Sequence, residues 1–342
     1  MKKFYAVIGN PPYQEDPELG STRALPVYDK FMDESYKIGT RVELVTPARF
    51  LFDAGQTKKD WNQKMLNDDH LKVLYYEDDS SRVFPSVDIK GGVAVTYHDS
   101  TRKFDSIGTF VPIPELRVIV GKVSPENDSD SLAAIAESQN NYNFGTLYKD
   151  HPDYRQYISG EGRHSQLKSN SLIKVPIFSD AQISPSDLRI YGLVNGKRGS
   201  RWCSYKYINQ DHVNLDKFKV FLAASNGSGA YGEVLSAPFI GKPNEGCTQT
   251  FMSIGAFNSV SEAENLLKYI KTRFCRSLLG ALKKTQHNPP VTWAKIPLQD
   301  FTDQSDIDWS QSVSDIDRQL YRKYGLDNTE IEFIESHVKE MN

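Results

Sequence analysis

Asn10-Pro11-Pro12-Tyr13 is the stretch of this sequence whose residue types and spacing best suit chemistry. It follows directly on the apolar run Phe4 to Ile8 and on Gly9. Two successive prolines remove two N–H donors and fix φ, so the chain must leave a sheet there as a stiff extended turn. That turn falls at the carboxyl end of a strand, where open α/β sheets bind ligands. With Pro at about 5% of residues, this tetrapeptide arises by chance in roughly one such chain in a thousand. The bland alternative is a strand stop with a surface tyrosine. A second stretch, Tyr191 to Tyr207, interleaves Lys197, Arg198, Arg201 and Lys206 with Trp202, Tyr205 and Tyr207 around Asn195-Gly196. Basic groups among aromatics on turn-rich backbone suit phosphate contact and base-edge reading, against the plainer reading of a solvated loop with packing aromatics. Arg163, His164, Gln166 and Lys168, and Lys283, Lys284 and Gln286, are weaker candidates of the same kind.

The whole chain supports that second reading only after its charge is divided. It has 342 residues, 41 Lys and Arg against 44 Asp and Glu, and a net charge of -3. Residues 1–105 sum to -2, residues 106–300 to +5 and residues 301–342 to -6. Residues 155–206 carry nine basic groups against three acidic ones, a local excess able to hold a polyanion. No apolar run approaches the roughly 18 residues of a membrane span, and the apolar start is too short for a signal peptide, so a cytoplasmic protein is expected. The three cysteines, Cys203, Cys247 and Cys275, lack the paired short spacings of a zinc site or a disulfide framework.

The elements that must position the first motif alternate strand and helix. Phe4 to Ile8 reads as a strand buried on both faces. Val27 to Ile38 is expected to be a helix, with Pro26 at its first turn. Arg41 to Val45 is a strand, Trp61, Met65 and Leu66 belong to a helix, and Leu71 to Tyr76 and Gly92 to Tyr97 are strands, giving an open α/β sheet. From about residue 106 the strands shorten and turns multiply. One long amphipathic helix is expected from Val260 to Leu278, with Ser259 and Glu262 as its capping box and a basic far side of Lys268, Lys271, Arg273 and Arg276. The end reads as a helix pair broken at Gly325, the second helix capped by Asp327 and Glu330.

At Asn10 to Tyr13 the sequence resembles the adenine-N6 class of DNA methyltransferases, whose motif is Asn-Pro-Pro-Tyr. The order of Val42 to Leu51 and then Val83-Phe84-Pro85 is similar to the blocks along one half of that family's catalytic sheet, and Tyr269 to Phe274, Trp293 to Leu298 and Leu320 to Leu326 look like the recognition-domain end of type II restriction-system methylases. The resemblance implies a partial Rossmann-like methyltransferase sheet over residues 1–105, an α+β target-recognition domain over 106–300 and a helical segment over 301–342. It implies a chemistry as well. Adenine's exocyclic amine is a poor nucleophile because its lone pair is delocalised. The Asn10 side-chain oxygen and the Pro11 carbonyl would accept its two hydrogens and aim the pair, Pro11 and Pro12 fixing the carbonyl's direction. Tyr13 would stack on the flipped base, with Phe84 on its other face; a core phenylalanine is the alternative for Phe84. Thr46 and Pro47 would shape the loop below.

The same resemblance implies S-adenosylmethionine as cofactor and double-stranded DNA as partner. In this class a glycine-rich turn and an acidic residue that hold the cofactor precede the motif, and only nine residues do so here. Gly227 to Gly232 fits G-x-G-x-x-G, but a strand-like segment with Pro238 follows it where a helix N-terminus would be needed. Asn288-Pro289-Pro290-Val291 lacks the aromatic and reads as a connection. The expectation is therefore an incomplete chain of a restriction-modification system, partnered by an upstream subunit carrying the cofactor half or by a restriction endonuclease. An inactive DNA-specificity subunit is the rival, and a methyltransferase acting on RNA or protein glutamine is a third reading.

Overall fold

The computed structural model describes residues 3–15, 24–85, 87, 89–158, 165–226, 230–283 and 286–341. The chain forms two compact units, Met1–Pro112 and Ile113–Asn342. It is a mixed α/β protein with several small sheets.

The first unit is built on strands β1 (Phe4–Gly9), β2 (Gly39–Pro47), β3 (Leu71–Glu77) and β4 (Val93–Asp99), with helices α1 (Tyr28–Ile38) and α2 (Lys59–Leu66). The strand order is β1-β2-β4-β3; β1 and β2 are parallel and the other pairings antiparallel. The α1 crossover explains the parallel pair, since parallel neighbours need a long return. Val7 and Val42 share a register position and face the core with Leu44, Leu71 and Ala94, against Tyr28 and Met32 of α1 and Trp61, Met65 and Leu66 of α2. Each fully buried large apolar side chain contributes about 1.5–3 kcal/mol.

The expectation that β1 is buried on both faces is corrected. It is the edge strand, with Phe4, Tyr5 and Ile8 54%, 72% and 77% exposed. Its apolar run has the composition of a central parallel strand, but among the described residues no strand pairs with its outer side.

In the second unit, α3 (Pro114–Val123), α4 (Phe144–Asp150) and α5 (Ser171–Lys174) accompany two sheets. One contains β10 (Glu245–Cys247), β6 (Leu188–Val194) and β7 (Lys197–Cys203) in that order. The other runs β5 (Ala136–Glu137), β11 (Phe251–Phe257), β8 (Phe218–Ala223) and β9 (Phe239–Gly241). Strands β6 and β7 form a hairpin through Asn195-Gly196, both at positive φ, the residue pair that a two-residue hairpin turn favours.

The single long helix expected from Val260 to Leu278 is two: α6 (Val260–Lys271) and α7 (Arg273–Leu282). Thr272 sits between them in extended geometry, donating its hydroxyl to the Tyr269 carbonyl and accepting the Cys275 N–H. Asp317 of helix α8 (Val313–Lys323) accepts the Arg273 and Phe274 N–H groups. The break thus has its N-terminal donors satisfied. The basic far side is also corrected. The Arg276 side chain is buried and bonded to the carbonyls of Lys271, Glu233 and Lys339, and Lys268 donates to the Trp309 carbonyl. Ser259 accepts the Glu262 N–H. Helix α9 (Asn328–His337) carries the reciprocal capping box of Asp327 and Glu330.

Candidate functional site

The motif leaves the carboxyl end of β1 as a pinned corner. Tyr13 accepts the Val27 N–H on its carbonyl, and Glu15 donates its N–H to the Leu25 carbonyl and takes an ion pair from Lys30 at 2.5 Å. This short ladder ties the corner to the start of α1. Asn10 and Pro12 are exposed, whereas Pro11 and Tyr13 are half-buried. The Tyr13 hydroxyl oxygen is buried without a hydrogen bond of normal geometry. Burial raises its pKa, and the neighbouring Asn10 side chain offsets part of the rise.

A cavity of about 300 Å³ opens beside Tyr13, lined also by Gln14, Pro47, Arg49, Gln56 and Lys90. This is the lower end of the range for small-ligand sites. Tyr28 at its wall is buried, which pushes its hydroxyl up to about 12, and a contact with Thr57 eases the rise. The loop beneath is clamped by buried Asn62, which accepts from Thr57 at 2.6 Å and donates to Asp53 at 3.1 Å. Thr46 and Pro47 end β2; Pro47 lines the cavity, whereas the Thr46 hydroxyl is buried and without a partner among the described residues. Phe84 meets Tyr13 edge to face, with centroids 6.3 Å apart and planes at 70°. A base held between two rings needs them parallel and about two stacking distances apart, so these rings face one another across no open slot.

The described residues do not fit S-adenosylmethionine. The cavity beside Tyr13 presents two cations, Arg49 and Lys90, and no described carboxylate, which opposes a sulfonium. Of the glycine-rich stretch, Gly227, Ser228 and Gly229 lie outside the described residues. Gly232 has φ +74°, and a Cβ there would lie 2.1 Å from the His337 carbonyl oxygen, so it packs against the end of α9. Asn288 of the second Asn-Pro-Pro stretch is buried and bonded to the Ala223 and Ala224 carbonyls. No group of metal-ligating side chains occurs among the described residues.

The DNA candidates sit on β7 and the turn after it, but several charges are already engaged. Arg201 pairs with Asp180 at 2.6 Å and Lys206 with Asp150 at 2.5 Å. Arg198 lies over the Phe251 ring and reaches the Ser236 carbonyl. Trp202 is half-buried in the hairpin, with Arg189 over its ring, whereas Lys197 is exposed at the hairpin tip. Lys283 is buried against Glu233 at 2.7 Å, which removes it as a DNA contact. Gln166 and Lys168 line a separate cavity of about 250 Å³ with Tyr142 and Lys174. Arg163, His164 and Lys284 lie outside the described residues. All three cysteines are buried and free; burial raises their thiol pKa values, to about 12 for Cys247.

The sequence assigned no role to Arg49, Gln56 or Lys90. Their meeting depends on residues up to 41 positions apart, as in the 2.6 Å bond from Arg49 Nε to the Lys90 carbonyl.

Residues 1–84 match the Eco57I restriction-modification methylase family. The amino-terminal part of the first unit is thus related to restriction-modification methylases. No curated protein matches the chain. Among solved structures, the type IIG restriction endonuclease BpuSI is 10% identical with a TM-score of 0.32, over 92% of this chain and 48% of that one. The type IIL restriction-modification enzyme MmeI, solved in complex with DNA, is 9% identical with a TM-score of 0.36, over 97% and 56%. A nuclease-deletion mutant of the type ISP enzyme LlaGI, in complex with a DNA substrate mimic, is 10% identical with a TM-score of 0.33, over 97% and 35%. The chain therefore spans about a third to just over half of these proteins. No helix among the described residues is long and apolar enough to cross a membrane.

Proposed function

We propose that this chain supplies the base-orienting and DNA-binding parts of a site-specific DNA adenine-N6 methyltransferase of a restriction-modification system. The observation that carries the reading is the exposed Asn10 on a rigid corner, at the carboxyl end of β1, beside a cavity walled by Tyr13. Asn10 Oδ1 and the Pro11 carbonyl accept the two hydrogens of the extruded adenine's amine, which favours the pyramidal nitrogen whose lone pair can attack a methyl group. Tyr13 offers its ring to the base, and Phe84 turns from its edge-on position to cover the other face. The methyl donor is S-adenosylmethionine. It is held by protein docked along the open edge of β1, either a separate subunit or an adjoining part of a longer polypeptide. The edge, unpaired among the described residues, and the exposed Phe4, Tyr5 and Ile8 support that placement.

The recognition role falls to the second unit, through Lys197, Arg198, Arg201, Trp202 and Lys206. The rival specificity-subunit reading draws on the lack of a cofactor fit among the described residues. The test is methyl transfer from labelled S-adenosylmethionine to duplex DNA, by the chain alone and with the protein encoded beside it. Asn10→Ala is expected to lower transfer about a hundredfold or more. Transfer that survives this substitution refutes the mechanism; tight duplex binding without transfer in either mixture establishes the rival.

A further inference from the structure

We infer that Arg49 is a positioning residue which binds a phosphate of the nucleotide whose base sits at Asn10 to Tyr13; this rests on the function proposed above. Four observations converge on it.

Arg49 and Tyr13 line the same cavity. The Arg49 Nε donates to the Lys90 carbonyl at 2.6 Å, which fixes the plane of the guanidinium and leaves the two terminal nitrogens without a partner among the described residues. The aliphatic stem is held between two glycines at positive φ. A Cβ would lie 3.1 Å from the stem at Gly55 and 2.8 Å from it at Gly91, so the backbone closes on Arg49 more tightly than a side chain would permit. The cavity adds Lys90 and the Gln14 and Gln56 amides and contributes no described carboxylate.

A guanidinium held rigidly, half-buried and without a counter-ion among the described residues matches the fork that recognises a phosphate through two parallel N–H···O bonds. Tyr13 lines the same cavity, and its ring can accept an apolar, planar partner. One cavity that offers a ring and a fixed fork suits a nucleotide better than a free base or a free phosphate. The extruded adenosine would thus be held at two points, its base on Tyr13 and a flanking phosphate on Arg49. The phosphate contact sets the depth at which the amine meets Asn10.

The experiment uses the full chain and two soluble ligands, deoxyadenosine and deoxyadenosine 5′-monophosphate, with binding followed by ligand-observed NMR. The monophosphate is expected to bind at least tenfold tighter than the nucleoside. Arg49→Gln should abolish that advantage and leave nucleoside binding within twofold of wild type, Arg49→Lys should retain part of it, and Tyr13→Ala should weaken both ligands. A merely structural arginine would move both ligands together or neither, and retention of part of the advantage by Arg49→Lys guards against misfolding of Arg49→Gln. If the nucleoside binds and the monophosphate gains nothing, or the gain survives Arg49→Gln, the phosphate role is overturned and the base site stands. If inorganic phosphate binds at Arg49 while Tyr13→Ala leaves the monophosphate unaffected, the pocket is an anion site unconnected with the base, which also overturns the inference. If neither ligand binds, the base site and the inference fall together.

Discussion

Replacing Tyr13 separates its ring from its hydroxyl, and the structure assigns the two parts opposite signs. The hydroxyl oxygen is buried without a normal hydrogen bond, and its pKa is raised by burial. An unsatisfied buried polar group costs about 1–3 kcal/mol, so removing it should be neutral or favourable. Tyr13→Phe is therefore expected to unfold at the same urea concentration as wild type or later, by up to about 1 kcal/mol. Tyr13→Ala also loses the ring, which packs on the core and meets Phe84 edge to face. Truncating a fully buried aromatic costs about 3–5 kcal/mol, and half of that, about 2 kcal/mol, suits a half-buried one. For methyl transfer in the reconstituted mixture, losing a stacking platform worth about 1–3 kcal/mol lowers the apparent affinity for DNA roughly five- to hundredfold, whereas Tyr13→Phe transfers as wild type does. Urea unfolding and transfer at subsaturating DNA read the two effects separately. Destabilisation of Tyr13→Phe by more than about 1 kcal/mol would mean that the hydroxyl is paired, and normal transfer by Tyr13→Ala would mean that the ring is no platform for the base.

Gly92 has φ +78°, and a Cβ there would stand 2.2 Å from the Glu77 carbonyl oxygen. Gly92→Ala should cost about 3 kcal/mol, and an unchanged denaturation midpoint would disprove the clash. Asp317 is buried, which raises its pKa from 3.8 to about 6 despite the Arg273 and Phe274 N–H groups and the nearby Arg276. The native state then holds a proton that the unfolded state loses first. The contribution of Asp317 is thus fully present below pH 3.8 and is lost as the pH rises to about 6. The stability of wild type relative to Asp317→Asn should fall by up to about 3 kcal/mol between about pH 4 and pH 7, and a flat difference would show a carboxylate ionised throughout. Ile8→Lys, at an exposed edge position, should leave the unfolding free energy within about 0.5 kcal/mol and weaken methyl transfer in the mixture with the neighbouring protein; transfer undiminished would place the docking surface elsewhere. Lys197→Gln should lower the salt dependence of duplex binding by about 0.9 in log-log slope, more than Lys206→Gln, whose charge Asp150 already meets. Equal slopes would show the Lys206 pair opening on DNA.

Much of the first unit was legible because its signals are local. The helix over Val27 to Ile38, the strand at Val42 and Leu44, and the proline stop at Pro11 each rest on signals within a few residues, although of the expected stripe Met32 is buried and Phe31 exposed. The Asn195-Gly196 turn and the Asp327–Glu330 box were legible for the same reason. The helix break at Thr272 was not, because the apolar stripe continues through it and Asp317, 43 residues from Phe274, supplies the alternative acceptor. The burial of Lys283, a weaker basic candidate, was not legible either. Composition counts charges, but whether Lys283 faces solvent or Glu233 depends on a fold contact 50 residues long.

Where the chain must turn rigidly, and which residues border the turn, can be read along the chain alone, since proline and periodicity act through neighbouring dihedrals and faces. The folded arrangement puts β1 at an edge and buries Asn288 while leaving Asn10 exposed. It also seated Arg49 between Gly55 and Gly91 beside Tyr13. Those outcomes come from contacts between distant segments, whose partners no local pattern encodes.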